Sequence, residues 1–450
     1  MRIPSVVRSL ATVFHTNGRQ CYLVGGAIRD ISMGRPSSDF DIATDALPED
    51  VMRMFPRVIP TGLKHGTVTV LFKGIHFEVT TFRVDAQYSD GRRPDSVTFA
   101  PTIQEDLARR DFTMNAMAYD LHRDVLIDPH NGRGDLAAGL IRAIGDPDAR
   151  FHEDGLRPLR ACRFSAQLEF SVEDGTREAI RRALDVVARV SVERIRDEIM
   201  KMMEAPRPSI GFELMVDTGL LGLVLPEMTE GVGMAQGGEH RFDVFRHGLA
   251  SCDAAPRNDA LLRLAALLHD VGKPRARLLG EEGLVGFHGH ERISAEIAES
   301  AMLRLKFPTL AIKRVTHLVR HHMFHYGEEW SDAAVRRFLS RVGEENVPDL
   351  LALRAADVRG MGGDQDAPAR LAGFSARIRE VINEGHALTV RALAVDGNDL
   401  MELLGLGPGP AIGTILEELL QAVLDDPALN ERGKLLEMAG KLYRERLAPS

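Results

Sequence analysis

Residues 22–44 read YLVGGAIRDISMGRPSSDFDIAT, and this stretch decides what the amino-terminal part of the chain can be. An apolar run leads into a glycine turn at Gly25 and Gly26, where a helix begins. Asp39-Phe40-Asp41 follows, and in a β-strand its two carboxylates point to the same face because strand side chains alternate. Two carboxylates beside a glycine turn are suited to holding Mg²⁺ against a triphosphate. A lone Asp-x-Asp is also typical of a solvated strand edge, so the interpretation depends on the surrounding blocks.

Composition and charge limit the kinds of protein that this chain can be. It has 450 residues, 44% of them hydrophobic and 27% charged, a globular composition long enough for roughly two to four domains. The formal net charge is −9, so a nucleic-acid-binding surface must be a local basic patch. Three widely spaced cysteines without a Cys-x-x-Cys pair favour a reducing, cytoplasmic location over a disulfide or zinc framework. The sequence contains no apolar run of about 18 residues and no cleavable leader pattern, so we expect neither membrane insertion nor export.

The chain changes character along its length, and these changes predict an α+β protein. Residues 1–145 are rich in strands, and the apolar runs at 68–72 and 76–82 predict a hairpin. Beyond this part, apolar residues recur at helix spacing. Glycine-rich stretches at 228–240 and 360–369 divide the helical part into blocks. We therefore expect four domains, at 1–145, 146–230, 231–365 and 366–450.

The Asp39/Asp41 pair needs a third acid if it is to serve nucleotidyl transfer. Two-metal phosphoryl chemistry uses carboxylates that hold two Mg²⁺ ions, which activate a hydroxyl and stabilise the leaving pyrophosphate. Glu78, in the neighbouring predicted strand, is the candidate for that catalytic acid. The alternative is that Glu78 only forms a charge pair, for example with Arg83.

A second block, EDLARRDFTMNAMA at 105–118, carries groups suited to a nucleotide. We expect a helix here, with Asp111 and Asn115 four residues apart on one face. An arginine such as Arg110 can bind triphosphate oxygens through two nitrogens, and an Asn or Asp can bond ribose hydroxyls. A helix held together by ordinary salt bridges is the alternative.

A third block, FHEDGLRPLRACRF at 151–164, combines arginines and acids. Arg157, Arg160 and Arg163 recur every third residue, and Asp154 lies just before them. Guanidinium and carboxylate groups can bond the Watson–Crick edge of a base, so this stretch predicts a protein template that chooses the nucleotide. A solvated arginine face is the alternative for the arginines alone.

The order of these blocks resembles the class II tRNA nucleotidyltransferase and bacterial poly(A) polymerase superfamily. The run is GGAIRD, DFD, EVTTFR, RRDFTMNAMA, DPHNGRGDL and EDGLRPLRACRF. The resemblance implies a polymerase-beta-like nucleotidyltransferase head at 1–145, followed by an all-helical neck, body and tail. The tail, at 366–450, is implied to bind tRNA, and its residues 395–432 resemble the C-terminal module of CCA-adding enzymes.

The same resemblance assigns roles to particular residues of the head and neck. It implies that Asp39 and Asp41 bind Mg²⁺ and that the glycine turn, Arg29 and Arg110 bind the nucleotide. The nucleotide site that it predicts consists of Gly25, Gly26, Arg29, Arg110, Asp111, Asn115, Asp154, Arg157, Arg160 and Arg163. The last four of these residues are the implied template for CTP and ATP.

A second constellation lies in the helical part, at 231–365. His247, then His269-Asp270 within LLHDVGKP, then Asp357 follow the order of ligands in the HD phosphohydrolase superfamily, which this segment resembles. Imidazole and carboxylate ligands suit Ni²⁺, Mn²⁺ or Co²⁺. We expect a metal site that acts on a phosphoester such as a 2′,3′-cyclic phosphate at an RNA end; a degenerate HD domain is the alternative. His290 lies between these motifs, and the sequence does not show which of His321, His322 and His325 reaches the metal.

The predicted function is template-independent addition of CCA to the 3′ end of tRNA from CTP and ATP. Enzymes of the resembled family that add only CC lack a loop before the RRD block, and this chain keeps one at 87–99, so we expect full CCA or A addition. An A-adding enzyme or a poly(A) polymerase is the alternative within the class. An HD-type phosphohydrolase with a nucleotide-binding head is the alternative from a different class.

Overall fold

The computed structural model describes residues 3–37, 39–85, 97–236, 241–279, 285–324, 330–361 and 367–447. It confirms the predicted α+β class, with strands concentrated in the amino-terminal part and helices after it. The chain forms two compact units. The first comprises Met1–Val232, Arg257–Ala260 and Ser300–Ile312, and the second comprises Gly233–Pro256, Leu261–Glu299 and Lys313–Ser450. The finer division into four domains stays a prediction.

The first unit is built on a sheet. Its strands are β1 (Cys21–Val24), β2 (Phe40–Thr44), β3 (Val58–Gly62), β4 (Thr67–Phe72), β5 (Ile75–Thr81), β6 (Arg83–Asp85), β7 (Val97–Phe99), β8 (Ala118–Asp120), β9 (Val125–Ile127), β10 (Leu140–Ile141) and β11 (Ser171–Val172). Within the described residues, seven of them pair in the order β3-β4-β5-β2-β1-β8-β9. Strands β4 and β5 form the predicted hairpin. Strands β2 and β5 run parallel, and this pair carries the acidic residues of the site.

Strand β1 is an inner strand of the sheet, and its side chains are buried on both faces. Leu23 packs in one apolar cluster with Phe14, while Tyr22 and Val24 pack in another with Phe82. The two clusters lie on opposite faces because strand side chains alternate. Each fully buried side chain of this size contributes about 1.5–3 kcal/mol to folding.

The helices of the first unit surround and extend this sheet. They are α1 (Ser5–Thr16), α2 (Gly26–Ser32), α3 (Pro48–Met54), α4 (Ile103–Ala108), α5 (Gly132–Ala138), α6 (Pro147–Glu153), α7 (Arg157–Leu168), α8 (Asp174–Arg182), α9 (Leu184–Val187), α10 (Val192–Met203), α11 (Pro208–Thr218), α12 (Leu220–Val224) and α13 (Pro226–Thr229). Helix α7 carries all three arginines of the predicted template.

The helix expected across 105–118 is wrong in extent. Helix α4 ends at Ala108, and Thr113–Asn115 form a 3₁₀ turn. Phe112 instead makes a β-bridge to Ala143, and Thr113 N donates to the carbonyl of Arg142. Long-range backbone hydrogen bonds therefore replace the local helical ones that the sequence spacing predicts.

The second unit consists mainly of helices. They are α14 (Val244–Ala254), α15 (Ala260–Leu268), α16 (Lys273–Ala276), α17 (His290–Arg304), α18 (Thr309–His321), α19 (Asp332–Val342), α20 (Val347–Met361), α21 (Ala367–Asn383), α22 (Gly397–Leu404), α23 (Pro410–Asp425) and α24 (Arg432–Leu442), and α15, α17 and α18 also contribute to the first unit. Short strands β12 (Leu278–Leu279) and β13 (Val285–Gly286) pair with each other. Within the described residues, no helix is long and apolar enough to cross a membrane.

Helix α22 ends at Leu404 with Gly405 as its C-cap, and α23 begins at Pro410. Gly405 has a φ of +64°, which suits glycine at a helix end, and Pro410 occupies the first turn, where its missing N–H costs nothing. Three predicted segments fall partly outside the described residues. In the loop predicted at 87–99, residues 87–96 lie outside the described residues. In the glycine-rich stretch at 228–240 these are residues 237–240, and in the stretch at 360–369 they are residues 362–366.

Candidate nucleotidyltransferase and metal sites

The acidic residues of the head meet at one point of the sheet. Asp41 on β2 and Glu78 on β5 are register partners in a parallel pair, so both side chains point to the same face. Asp39, exposed, lies one residue before β2, and Phe40 between the two aspartates is buried in the core. Glu78 forms no ion pair within the described residues, and Arg83 donates to the carbonyl of His65, 2.5 Å away. The alternative reading of Glu78 as the partner of Arg83 is therefore wrong.

Burial and the crowding of these carboxylates raise the pKa of Asp41. Burial, followed by the charges of Glu78 and Asp39, raises the pKa of Asp41 to about 6, against the opposing charge of Arg110. A divalent cation between the carboxylates would relieve both the desolvation and the repulsion. The donor set, which consists of carboxylate oxygens alone, fits Mg²⁺.

The glycine turn lies directly against Asp41. Gly25 has a φ of +68°, and a Cβ built on it would lie 2.9 Å from Asp41 Oδ2 and 3.4 Å from Arg110 Nη1. Glycine is thus needed at this position both for its backbone conformation and for the approach of the carboxylate. Gly26 begins α2, and Arg29 follows one turn later.

Two arginines face the same cavity and are held by polar partners. Arg29 Nη1 donates to Asn115 Oδ1 at 2.9 Å, and Arg110 Nη2 donates to Asp106 Oδ2 at 3.1 Å. Asp106 is buried and also pairs with Arg109 at 2.8 Å. Burial alone would raise the pKa of Asp106, but the two arginines lower it. Sequence reasoning did not assign Asp106 a role, and its position four residues before Arg110 was the available signal.

Asp111 connects the head to α7, the helix that carries Arg157, Arg160 and Arg163 and is called the arginine helix below. Its Oδ1 accepts from Asn115 Nδ2 at 3.1 Å, and its Oδ2 accepts from Arg160 Nε at 2.8 Å. Burial acts to raise the pKa of Asp111, but Arg160, Asn115 and Arg157 together lower it to about 2. Together with the bond from Arg29 to Asn115, these contacts form a continuous chain of hydrogen bonds from Arg29 to Arg160.

The predicted template residues are oriented by side chains from elsewhere in the unit. Arg194 Nη2 contacts both carboxylate oxygens of Asp154, at 3.1 and 3.0 Å. Arg163 Nε donates to Glu198 Oε2 at 2.6 Å. Arg194 and Glu198 both lie on α10, and sequence reasoning missed both because they are about 40 residues from their partners along the chain.

The alternative of a solvated arginine face is wrong for two of the three arginines. Arg157 and Arg163 are only 6% and 8% exposed. Arg157 donates to Glu153 Oε2 at 2.7 Å and to the carbonyl of Arg109 at 2.9 Å. Arg163 also stacks on the Phe164 ring, with its guanidinium 4.1 Å from the ring centre.

One cavity of about 760 Å³ joins most of these groups. Its lining includes the predicted residues Gly25, Gly26, Arg29, Asp41, Glu78, Arg110, Asp111, Asn115, Asp154, Arg157 and Arg160. Asp39 and Arg163 are not among the described lining residues. The lining thus combines the carboxylates of Asp41 and Glu78 with guanidinium groups such as those of Arg29 and Arg110, which suits a nucleoside triphosphate with its metal.

The histidine–aspartate residues of the second unit form a separate buried cluster. His247 Nε2 lies 3.2 Å from His269 Nε2 and 3.0 Å from Asp357 Oδ1. Asp270 Oδ2 lies 3.3 Å from His269 Nε2 and 3.4 Å from His247 Nε2. All four predicted ligands therefore converge, and ligand atoms of His247, His269 and Asp357 are close enough together to share one metal ion.

Positive charge accumulates around the two carboxylates of this cluster. Lys273 Nζ lies 2.6 Å from Asp270 Oδ2, and Arg354 Nη1 lies 2.5 Å from Asp357 Oδ2. Burial acts to raise the pKa of Asp270, but the charges of His269 and Lys273 hold it well below its usual range. The imidazole and carboxylate donors fit a divalent transition metal.

The structure distinguishes the histidines near position 322. His322 is buried with its Nε2 3.7 Å from Asp270 Oδ1, whereas the ring of His321 packs against His317. His325 lies outside the described residues. His322, rather than His321, therefore faces the predicted metal ligands.

Comparison with known families identifies the parts of the chain. A model of the poly A polymerase head domain matches residues 21–142, and one described as a probable RNA and SrmB-binding site of polymerase A matches 169–231. An HD domain model matches residues 237–361. The fold and the two sites thus define a nucleotidyltransferase with an appended HD domain, and both kinds of domain depend on divalent metal ions.

Relatives narrow this class, and the chain belongs to the CCA-adding enzyme family. It is 33% identical to the CCA-adding enzyme of Anoxybacillus flavithermus over 96% of this chain and 95% of that one. It is likewise 33% identical to that of Lactobacillus johnsonii, over 93% of both chains. A further match, to the Lactobacillus helveticus CCA-adding enzyme, is 46% identical over 49% of this chain and spans only 55% of that relative.

Solved structures agree with this family. The Bacillus stearothermophilus CCA-adding enzyme in complex with CTP matches with a TM-score of 0.75 and 29% identity, over 99% of both chains. The Thermotoga maritima enzyme complexed with tRNA, at 20% identity and a TM-score of 0.57, shows likeness of fold. The family and fold class predicted from the sequence are confirmed.

Proposed function

We propose that this chain adds CMP, CMP and AMP in turn to the 3′ end of tRNA, using CTP and ATP. The observation that carries the proposal is that Asp41, Glu78, the Gly25 turn and the arginine helix line one cavity. The relatives, named as CCA-adding enzymes, and the related structure with CTP support the same activity. The segment at 169–231, which matches the RNA-binding model, and the predicted tail at 366–450 are the proposed tRNA-binding parts.

Three acids would hold the metal ions in this mechanism. Asp39, Asp41 and Glu78 would bind Mg²⁺, which when bound activates the tRNA 3′-hydroxyl and neutralises the leaving pyrophosphate. Gly25 lets the nucleotide approach these acids, and Arg29 and Arg110 would bind phosphate oxygens by charge-assisted hydrogen bonds. The chain's own contribution is therefore mainly positioning and charge.

Base choice is proposed to reside on the arginine helix. Asp154, Arg157 and Arg160 line the cavity and offer both donors and acceptors, which a fixed template for C and A requires. Arg163, which is absent from the lining, would act by fixing its neighbours through Glu198 and Phe164. Since the template is protein, no nucleic-acid template is needed.

The test is incorporation of each labelled nucleotide into tRNA transcripts that end before the CCA, after one C, and after CC. We expect C, C and A in that order with Mg²⁺, and no incorporation of G or U. Extension of the CC transcript alone would identify an A-adding enzyme, and long A tails would identify a poly(A) polymerase. Asp41→Ala should lose incorporation and keep tRNA binding, and full activity in that variant would contradict the proposal.

A second activity is proposed for the HD domain. The convergence of His247, His269, Asp270 and Asp357 supports a Ni²⁺, Mn²⁺ or Co²⁺ site that hydrolyses a phosphoester, for example a 2′,3′-cyclic phosphate at an RNA end. The assay is hydrolysis of 2′,3′-cyclic AMP with each of these metals added. Absence of hydrolysis and of bound metal would reduce this domain to a scaffold.

A further inference from the structure

The cavity of the head extends to both sides of its acids. In the sheet order β3-β4-β5-β2-β1, Asp41 on β2 and Glu78 on β5 lie between strand β1 and strands β3 and β4. The glycine turn and Arg29, which are proposed to bind the nucleotide, follow β1. Strands β3, β4 and β5 and the turn after β3 contribute further polar residues to the cavity lining, namely Thr61, His65, Thr67 and Thr80. The two groups of polar side chains therefore come from opposite sides of β2.

Threonine hydroxyls continue the acidic face of the sheet towards its β3 edge. Thr80 lies two residues after Glu78 on β5, so its side chain points to the same face. Thr67 on β4 is the register partner of Thr80, and their hydroxyl oxygens are 3.0 Å apart. The hydroxyls of Thr61 and Thr69 form a second pair, also at 3.0 Å. Each pair uses one hydroxyl hydrogen between its members, which leaves the other hydrogen and several lone pairs for a ligand.

An exposed aromatic ring lies beside these hydroxyls. Phe99 is 44% exposed, and its Cε1 would lie 2.9 Å from a Cβ built on Gly66, which stands in the chain between the lining residues His65 and Thr67. Phe99 is also the register partner of Arg83, which lines the cavity and donates to the carbonyl of His65. Proteins bind single-stranded nucleic acid with this combination, since a base stacks on the ring while hydroxyls and a guanidinium bind sugar and phosphate.

We propose that His65, Thr67, Thr80, Arg83 and Phe99 form an acceptor platform, which binds the 3′-terminal nucleotide of the RNA strand that is being extended. The inference rests on the proposed CCA addition and names the residues that hold its second substrate. In phosphoryl transfer the attacking and the leaving oxygen lie roughly in line, on opposite sides of the phosphorus. The triphosphate is placed on the side of the glycine turn, so the attacking 3′-hydroxyl approaches from the side of the acceptor platform.

The chemistry of the acceptor platform suits an end whose last base changes at each step. Stacking on Phe99 accepts any base, because every base has a π-face. The hydroxyls of Thr67 and Thr80 can bond the ribose, and the guanidinium of Arg83 can bond a phosphate. The acceptor platform therefore positions the end of the strand without reading its base, and selection of the incoming base stays with the arginine helix.

The test uses a tRNA transcript that ends before the CCA and carries the fluorescent base 2-aminopurine as its last base. Stacking on an aromatic ring quenches this base, so binding to the full-length chain without CTP should quench it in the parent and in Phe99→Tyr, and much less in Phe99→Leu. At saturating tRNA and CTP, the rate of the first C addition should fall about tenfold in Phe99→Leu, the size of one base–aromatic stacking interaction. Thr80→Val keeps the side-chain shape and should lose about fivefold, the size of one neutral hydrogen bond.

Affinity for labelled CTP, measured by equilibrium dialysis without tRNA, separates the two sides of the cavity. It should be unchanged in Phe99→Leu and Thr80→Val, and a loss that parallels the loss of rate would overturn the acceptor platform. Val125→Ala, at an exposed position of the opposite edge strand β9, is the control and should match the parent in every assay. Parental quenching and rates in Phe99→Leu and Thr80→Val would also overturn the acceptor platform and leave the proposed CCA addition standing. Absence of C addition by the parent would instead contradict the proposed function, on which this inference rests.

Discussion

Asp41 and Glu78 are register partners on two parallel strands, and their carboxylates share one face of the sheet. They come from positions that are far apart in sequence, so the pairing of β2 with β5 is what brings them together. Both line the cavity that Arg157 and Arg160 of the arginine helix also line. This pairing makes Glu78 the natural third acid beside Asp39 and Asp41, and its contribution can be measured separately.

Glu78→Gln should lower nucleotide incorporation about 100-fold or more, since a metal-binding carboxylate is replaced by a neutral amide of the same shape. Affinity for tRNA should stay unchanged. The matched control is Glu49→Gln, which alters an exposed acid on α3 of the same unit. Steady-state rates at several Mg²⁺ concentrations provide the measurement, and near-normal rates in Glu78→Gln would show that two aspartates suffice.

Gly25→Ala should inactivate the head, whereas Gly34→Ala should not. Both glycines have a positive φ, +68° and +73°, so each substitution costs about 1–2 kcal/mol of backbone strain. Only at Gly25 does the added Cβ meet Asp41 Oδ2, at 2.9 Å, while a Cβ at Gly34 meets no heavy atom within 4 Å. Thermal melting should show similar losses in the two variants, and incorporation assays should separate them. Equal activity would mean that Asp41 moves aside without consequence.

Arg194→Met should weaken base selection indirectly, through the loss of its contact with Asp154. Arg194 holds both oxygens of Asp154, so its loss frees a carboxylate that is proposed to read the base. We expect the preference for CTP over UTP to fall roughly tenfold, the effect of one charge-assisted hydrogen bond. Arg189→Met, which breaks the exposed pair with Asp185, is the control. Loss of turnover with selectivity intact would indicate that Arg194 only supports the fold.

Asp111→Asn should destabilise the protein at neutral pH and do so less in acid. The pKa of Asp111 is about 2 in the folded chain, below its value in the unfolded chain. A group with a lowered folded pKa contributes stability above its unfolded pKa and loses it as the pH falls through the folded value. The deficit should therefore be on the order of 2 kcal/mol at pH 7 and shrink between pH 4 and pH 2. Urea denaturation at several pH values measures it, with exposed Asp185→Asn as control; a deficit independent of pH would contradict the ion pair with Arg160.

Local patterns predicted those parts of the site that depend on neighbouring residues. Asp39 and Asp41 flank Phe40 in the sequence, so alternation about buried Phe40 turns both aspartates to the opposite face, and the Gly25 turn needs the conformation that glycine favours. The spacing of the arginines predicted their common helix, α7. In each case the determining interaction lies within a few residues of the motif.

Long-range contacts explain what the sequence could not provide. The helix predicted at 105–118 ends early because Phe112 pairs with Ala143, and spacing alone does not reveal such a bridge. Arg194 and Glu198 lie on α10, whose sequence has the pattern of an ordinary amphipathic helix. Their roles depend on α10 packing against α7, which only the folded chain establishes.

Removal of one carboxylate from each centre should separate the two activities. Asp41 and Asp270 belong to different compact units, and no residue contributes to both sites within the described chain. Asp41→Ala should therefore abolish CCA addition and leave hydrolysis of 2′,3′-cyclic AMP intact, whereas Asp270→Ala should do the reverse. Assays of both activities on the same preparations, with added Mg²⁺ for the first and Mn²⁺ or Ni²⁺ for the second, provide the measurement. Asp253→Ala, a change outside the metal ligands of the second unit, serves as the control for purification and folding. If Asp270→Ala also lost CCA addition while remaining folded, the two centres would be coupled rather than independent.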